Sequence, residues 1–335
     1  MTAETNVSFG HLVDRDAALS AQQMVEHLVP PRQFAGASLD NYRPDPDYPS
    51  QAAAVGAIRD FGSGAQGGGL FRKRAPVSKP GVYLDGGFGV GKTHLLAALW
   101  HQAKGRKYFG TFIEYTALVG ALGYAPTVEL LKGASLLAID EFELDDPGDT
   151  RLMARLLNEL AASGTRIAAT SNTPPNALGE GRFAAQDFLR EIDSLADRFE
   201  TLRIDGLDYR RRDVEAHARV SADAAAELAG VAGTTTLDDF DAVLRHLSTV
   251  HPSRYVRLVE SLAAIGLTGV HPIGHQTDAL RFVAFVDRLY DAQVRIIAEG
   301  TPLDSVFPDE MLQGGYRKKY LRAISRLIAL TSGTD

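Results

Sequence analysis

The chain has 335 residues with a formal net charge of −7, and it contains 45% apolar residues, 23% charged residues and no cysteine. Its length favours roughly two domains, and its ordinary balance of apolar and charged residues excludes a fibrous or disordered chain. The lack of cysteine excludes disulfides, thiol catalysis, zinc ribbons and iron–sulfur clusters.

Location and charge narrow the function classes further. No apolar run reaches the roughly 18 residues of a membrane span, and the polar N-terminus lacks the pattern of a secretory signal. We therefore expect a cytoplasmic protein without a membrane span. The acidic net charge disfavours general attraction to nucleic acid, so a nucleic-acid partner is not expected.

Strand and helix patterns alternate through the middle of the chain. An irregular or helical lead-in precedes a helical pattern at 51–61, and a Gly/Pro-rich loop at 62–81 follows. Strands are then expected at 82–84, 106–115, 135–140, 166–172 and 201–205, with helical patterns at 95–103 and 151–164. This alternation predicts an α/β fold with a parallel sheet flanked by helices.

Helical patterns dominate the C-terminal part of the chain. Residues 218–236 read as a helix or a connector, and clear helical patterns cover 277–293 and 316–332. A single strand-like segment lies at 294–298. A smaller, mostly helical C-terminal region is therefore expected.

The sequence GGFGVGKT at residues 86–93 fits the phosphate-binding pattern G-x-x-x-x-G-K-[ST], known as Walker A. A strand pattern precedes it and a helical pattern follows, as this loop requires. Its backbone N–H groups would point at phosphate oxygens, Lys92 would bridge the β- and γ-phosphates, and Thr93 would bind magnesium. ATP and Mg²⁺ are therefore the expected cofactors, bound by Gly86, Gly87, Phe88, Gly89, Val90, Gly91, Lys92, Thr93 and His94, the last as a helix residue rather than a catalyst.

An acidic pair follows the apolar run at 135–140. Because a buried parallel strand carries ligand-binding residues at its carboxyl end, Asp140 and Glu141 are expected to face the phosphate loop as a Walker B pair. Asp140 would hold Mg²⁺, and Glu141 would orient and deprotonate the attacking water. The glutamate favours hydrolysis over nucleotide storage.

Polar residues also end the strand pattern at 166–172. Ser171 and Asn172 are expected to reach the γ-phosphate, where an amide can position the lytic water. A simple strand-ending turn is the alternative interpretation of Asn172.

Arginines supply candidates for stabilising charge on the transferred phosphoryl group. Arg182, Arg190 and Arg198 are candidates for an arginine finger acting within the chain or on a neighbouring subunit, and ordinary surface charge is the alternative for each. Arg210 and Arg281 are rival candidates for an arginine that contacts the nucleotide from a lid.

Together, these segments resemble the ZapE/Afg-like family of AAA+ ATPases. YRPDPDYPSQAAAV, GVYLDGGFGVGKT and the acidic segment that begins LLAIDEFELDD are similar to family motifs, although Leu144 and Pro147 stand where Val and Ile are usual. IAATSNTPPNAL, LRIDGLDYRRR and LRFVAFVDRLYDAQVRIIAEGTPLDSVF are the segments that resemble this family most specifically. DFLREID departs from the family pattern and displaces Arg190, so Arg182 becomes the preferred finger.

This resemblance implies a P-loop AAA+ core with an appended C-terminal region and a homo-oligomeric ring with ATP sites at subunit contacts. Its bacterial members imply a role in cell division with a tubulin-like FtsZ partner. We therefore expect a lead-in and nucleotide-approaching segment at 1–61, an ATPase core at 62–213 and a lid-like domain at 214–335. The expected function is Mg-dependent ATP hydrolysis that remodels a partner protein. A DNA-handling ATPase of the helicase-loader type and an ATP-gated scaffold are the alternatives.

Overall fold

The computed structural model describes residues 9–63, 79–143, 147–175, 178, 193–194, 196–207 and 217–332. The chain divides into two compact units, one formed by residues 20–212 and the other by residues 1–19 together with 213–335. The division differs from the expected three segments, because the first 19 residues group with the C-terminal unit rather than with residues 20–61.

The unit at 20–212 is built on a parallel five-stranded sheet. Its strands lie in the order β2-β3-β4-β1-β5. Their bounds are β1 Gly81–Gly86, β2 Lys107–Thr111, β3 Leu136–Asp140, β4 Arg166–Ser171 and β5 Phe199–Ile204. Because every pairing is parallel, the carboxyl ends of β1, β3 and β4 meet at one edge. This confirms the α/β fold expected from the sequence.

Helices in this unit follow the apolar patterns of the sequence. Their bounds are α1 Ala21–Glu26, α2 Pro49–Gly62, α3 Lys92–Gln102, α4 Phe112–Leu122, α5 Tyr124–Leu131 and α6 Pro147–Ala162. Apolar side chains of α2 and α3 pack with Val82, Leu84 and Ala168 on one sheet face. The expected strand at 106–115 is wrong in its second half, because Thr111 caps α4 in a capping box with Glu114.

An aromatic cluster lies beside the sheet in the same unit. Tyr83, Phe142 and Phe199 contact one another edge to face, with ring centroids 5.7 to 6.4 Å apart. The Tyr83 hydroxyl donates to the carbonyl oxygen of Thr173 at 2.8 Å, and burial raises the pKa of Tyr83. These contacts connect β1 to the segments that follow β3 and β4, which are the segments that carry candidate site residues.

The C-terminal unit has a second, smaller parallel sheet of order β6-β7-β8. Its strands are β6 Thr234–Asp239, β7 Leu262–Val270 and β8 Arg295–Gly300. Its helices are α7 Ala224–Leu228, α8 Phe240–Thr249, α9 Tyr255–Val259, α10 Gln276–Ala292, α11 Asp309–Gln313 and α12 Arg317–Thr331. More residues of this unit are helical than extended, as the sequence predicts.

Two strands of this small sheet were not predicted. β6 reads TTTLDD and β7 reads LAAIGLTGV, so neither shows strict alternation, the β-branched run of β6 stops after three threonines, and β7 contains two glycines. Pairing rather than local propensity forms these strands. Residues 10–12 lie along β6 at the edge of this sheet. Gly10 bridges Thr236, and the Leu12 amide donates to both carboxylate oxygens of Asp238 at 2.9 Å.

Candidate active site

The phosphate-loop motif lies between a buried strand and a helix, as its sequence predicts. β1 ends at Gly86 and α3 begins at Lys92. Gly91 has a φ of 86°, a left-handed conformation that glycine adopts without strain. A Cβ on Gly86 would lie 2.2 Å from the carbonyl oxygen of Ile204 in β5. Both glycines are therefore required by the backbone path of the loop.

The Lys92 ammonium lies inside this loop. Its Nζ donates to the carbonyl oxygens of Gly86 at 3.0 Å and Gly87 at 2.5 Å. It also donates to the side-chain oxygen of Asn172 at 2.9 Å. The side chain is 9% exposed, so the structure brings the predicted phosphate-binding lysine and the predicted amide into direct contact.

The Thr93 hydroxyl lies against the predicted metal-binding carboxylate. Thr93 Oγ1 is 3.2 Å from Oδ1 and 3.1 Å from Oδ2 of Asp140, which ends β3. Asp140 is 7% exposed. A hydroxyl beside a buried carboxylate forms the hard oxygen donor set that Mg²⁺ prefers.

Glu141 leaves the sheet in an unusual backbone conformation. Its φ is 52°, in the left-handed region that non-glycine residues rarely adopt. The Glu141 amide donates to Thr170 Oγ1 at 3.1 Å, and the Thr170 hydroxyl donates to Asp140 Oδ1. Sequence reasoning did not identify Thr170, which joins the two acidic residues.

Ser171 and Asn172 diverge although they are adjacent. Only Asn172 contacts Lys92. The Ser171 hydroxyl accepts from the Thr173 amide at 3.1 Å and interacts with the Tyr83 side chain. Because side chains alternate along a strand, Ser171 faces away from Asn172, and its expected reach toward the γ-phosphate does not follow from this geometry.

A bracket of residues 34–51 packs against the phosphate loop. The Tyr42 hydroxyl donates to the carbonyl oxygen of Val90 at 2.7 Å, and its ring contacts the His94 ring with centroids 5.7 Å apart. His94 Nε2 lies 2.9 Å from the carbonyl oxygen of Ser38. His94 therefore joins α3 to this bracket. Tyr42 begins the family-like segment YRPDPDYPSQAAAV, but its contact with the phosphate loop was not predicted, because it is made across 48 residues of chain.

Gln51 attaches the same bracket to the end of β5. Its side-chain oxygen accepts from the Asp45 amide, and its amide group donates to the carbonyl oxygen of Asp205, both at 2.9 Å. Nearby, Asp85 in β1 accepts from Arg203 in β5 at 2.8 Å. These contacts attach the bracket and strand β1, which both adjoin the phosphate loop, to strand β5.

Comparison with known proteins identifies the family. The sequence profile of the AFG1-like ATPase family matches residues 18–232 and 221–334, nearly the whole chain. The chain belongs to the AFG1-like ATPase family. It is accordingly an ATPase with a nucleotide-binding P-loop.

Two curated relatives accompany this AFG1-like match. The cell division protein ZapE of Escherichia coli K12 is 25% identical over 306 residues, covering 78% of this chain and 80% of the relative. Lactation elevated protein 1 homolog B of Danio rerio is 22% identical over 299 residues, covering 71% of this chain and 59% of the relative.

The solved structures that align with this chain are more distant in sequence. AMPPCP-bound DnaA from Aquifex aeolicus aligns with a TM-score of 0.41 and 18% identity, over 51% of this chain and 50% of that one. DnaI aligns with a TM-score of 0.41 and 19% identity, over 54% of this chain and 99% of that one. The chain thus spans about half the length of the DnaA structure.

The candidate arginines of this AFG1-like ATPase are only partly described. Arg182, Arg190 and Arg210 lie outside the described residues, as do Leu144 and the side chain of Pro147. Arg198 precedes β5, at the sheet edge opposite the phosphate loop of its own chain, where its carbonyl oxygen accepts from the Gly81 amide. Arg281 pairs with Asp278 at 3.2 Å within α10.

Two features are absent from the residues that the structure describes. No described helix is long and apolar enough to span a membrane. Within the same residues, no group of three or more His, Asp or Glu side chains is arranged to hold a metal ion.

Proposed function

We propose that this ATPase hydrolyses ATP with magnesium at the loop 86–93, with Asp140 and Glu141 as the acidic pair. The observation that carries the proposal is a pair of polar contacts at the carboxyl ends of β1, β3 and β4. Lys92 contacts Asn172, and the adjacent Thr93 contacts Asp140. These contacts bring the candidate phosphate-binding lysine, the amide and the candidate metal-binding oxygens together beside the phosphate loop.

Thr93 and Asp140 would hold Mg²⁺, since their oxygens already lie 3.1 Å apart. The cation would neutralise charge on the phosphate oxygens. Lys92 would exchange its carbonyl partners for phosphate oxygens, and Asn172 would orient the γ-phosphate or the lytic water. Glu141 would accept the proton of that water. The loop glycines, with Phe88 and Val90 between them, would direct backbone N–H groups at the phosphates.

Single substitutions test these roles. Lys92→Ala should abolish ATP binding or turnover, because a fixed cation is removed from the phosphates. Glu141→Gln should keep ATP bound while hydrolysis falls about 10²–10⁴-fold, the usual contribution of a general base. Glu129→Gln is the matched control, since Glu129 is an exposed helix residue paired with Lys132. Wild-type hydrolysis in Glu141→Gln would refute the assignment.

We further propose that hydrolysis remodels a partner protein in bacterial cell division, within the cytoplasm. The similarity to ZapE, a cell division protein of Escherichia coli, supports this proposal. A tubulin-like division protein is the proposed partner, through the family resemblance. ATP-dependent co-sedimentation with such filaments, lost in Lys92→Ala, is the expected result. An ATPase rate stimulated by DNA and suppressed by salt would instead favour the helicase-loader alternative.

A ring with shared sites is proposed on the same basis. The ATPase rate per subunit should then rise steeply with protein concentration. Arg182→Ala should abolish this rate if Arg182 is the finger, and mixing with Lys92→Ala subunits should restore part of it. A rate per subunit that is independent of concentration would contradict shared sites.

A further inference from the structure

Thr170 lies on the central strand β4, between the strands that carry the phosphate loop and the acidic pair. Its side chain is buried, with the residue 2% exposed. We propose that Thr170 is a positioning residue for ATP hydrolysis that holds Asp140 and Glu141 in their working arrangement. This inference rests on the proposed roles of those two carboxylates.

The hydroxyl of Thr170 connects both acidic residues through one proton. An ionised carboxylate can only accept, so the Thr170 hydroxyl donates its proton to Asp140 Oδ1. The lone pairs then accept the Glu141 amide at 3.1 Å. A single side chain thereby sets the direction of the Asp140 carboxylate and the orientation of the next peptide.

The backbone explains why such a contact is required. Regular pairing of β3 with β4 ends at Ile139 and Ala169. Glu141 then turns into the left-handed region, which a non-glycine residue keeps only where the surrounding structure holds it there. Thr170 supplies two of the restraints, because its hydroxyl accepts from Glu141 and its carbonyl oxygen accepts from the Phe142 amide at 2.7 Å.

Two other buried threonines donate their hydroxyl protons within their own helical segment. Thr127 donates to the carbonyl oxygen of Gly123 at 2.8 Å, one helical turn earlier. Thr331 likewise donates to the carbonyl oxygen of Leu327 at 2.9 Å, although its oxygen also accepts from a backbone amide 112 residues away in the chain. Thr170 instead contacts Asp140 and Glu141, the candidate metal-binding residue and the candidate general base. A role limited to satisfying its own hydroxyl would not require that placement.

Thr93 makes the second contact to Asp140, at 3.1 Å. When a magnesium nucleotide binds, the Thr93 hydroxyl would turn to the cation. Thr170 would then keep the carboxylate oriented from the neighbouring strand β4. When a residue that hydrogen-bonds to a metal-binding side chain is removed, metal affinity or activity typically falls by about 10–100-fold.

The test compares Thr170→Val, which keeps the shape and removes the hydroxyl, with Thr170→Ser, which keeps the hydroxyl. We expect Thr170→Val to lower kcat about 10–100-fold and to raise the Mg²⁺ concentration for half-maximal rate by a similar factor. At saturating Mg²⁺ the KM for ATP should change less than about threefold, since the phosphate loop is intact. Thr170→Ser should restore kcat to within about threefold of wild type on the same scale.

Thr165→Val is the matched control, because Thr165 is 1% exposed and lies just before the same strand. It should leave kcat and the Mg²⁺ dependence at wild-type values. If Thr170→Val does not fold, Thr170→Ala carries the same test, because it removes the hydroxyl without placing a methyl group beside the Asp140 carboxylate. Wild-type kcat and Mg²⁺ dependence in a folded Thr170→Val, or equal loss in Thr170→Ser, would overturn the inference. Glu141→Gln is measured alongside, so that the two failures can be distinguished. Wild-type hydrolysis in Glu141→Gln would refute the proposed function, whereas loss of hydrolysis in Glu141→Gln with a wild-type Thr170→Val would refute only the role of Thr170.

Discussion

The hydroxyl of Tyr42 donates a hydrogen bond to the carbonyl oxygen of Val90 across 2.7 Å, and this bond couples the bracket at 34–51 to the phosphate loop. Burial raises the pKa of Tyr42 to about 12, so the hydroxyl keeps its proton throughout the physiological range. The position of the loop in this ATPase therefore depends on a residue outside its motif.

Tyr42→Phe should lower the free energy of unfolding by about 1 kcal/mol, the usual value of one hydrogen bond. The KM for ATP should rise, because the loop loses a restraint on Val90 while its ring packing against His94 is kept. Denaturant unfolding and steady-state kinetics measure the two effects. An unchanged KM would show that the bond stabilises the fold without ordering the loop.

Gly91→Ala should destabilise the protein more than Gly87→Ala, a substitution in the same loop. The added Cβ would lie 2.4 Å from Tyr42 Cε2, at a φ of 86° that costs alanine about 1–2 kcal/mol. Gly87→Ala in the same loop is the control, because its Cβ would meet no described atom within 4 Å. Thermal unfolding should show a lower midpoint for Gly91→Ala than for Gly87→Ala. Equal midpoints would contradict the close approach of Tyr42.

Two ion pairs of the same unit should differ in value. Arg203 and Arg59 are 56% and 55% exposed, but Asp85 is 4% exposed whereas Asp40 is 91% exposed. Hydrogen bonding to Asp85 raises the pKa of Arg203. Arg203→Ala should cost about 1–3 kcal/mol because it leaves a buried carboxylate without this donor. Arg59→Ala should cost at most about 1 kcal/mol.

Denaturant unfolding of both arginine variants measures this difference. The double variant Arg203→Ala/Asp85→Ala should recover part of the loss, since it also removes the buried charge. Equal costs for the two single variants would show that burial of Asp85 does not strengthen its pair.

The C-terminal unit should lose stability as pH rises through the titration of His271. A hydrogen bond to the Pro272 carbonyl oxygen and then one to Asp241 raise the pKa of His271. Because the folded pKa exceeds the unfolded value near 6.5, this stabilisation is complete below that pH and disappears as pH rises through the folded pKa. His271→Asn should remove this part of the pH dependence, and Asp241→Asn should reduce it. A wild-type pH profile in His271→Asn would contradict the assignment.

Local signals were sufficient for the sheet and most of the site. Gly86 to Thr93 combine a buried strand, a glycine turn and a helix, and Asp140 and Glu141 directly follow an apolar run. Because parallel strands place their carboxyl ends at one edge, motifs far apart in sequence could be brought together by topology alone. The structure places Lys92 against Asn172 and Thr93 against Asp140 accordingly.

The sequence by itself therefore determined the phosphate loop, the parallel α/β architecture and the acidic pair, since each arises from residues adjacent in the chain. Only the tertiary structure decided the roles of Tyr42 and Thr170 and the small sheet formed by β6, β7 and β8. Those features depend on contacts between distant segments. The sequence around a threonine in a strand does not indicate which distant group its hydroxyl will contact. Polar or glycine-containing strands form only where a neighbouring strand satisfies their backbone groups.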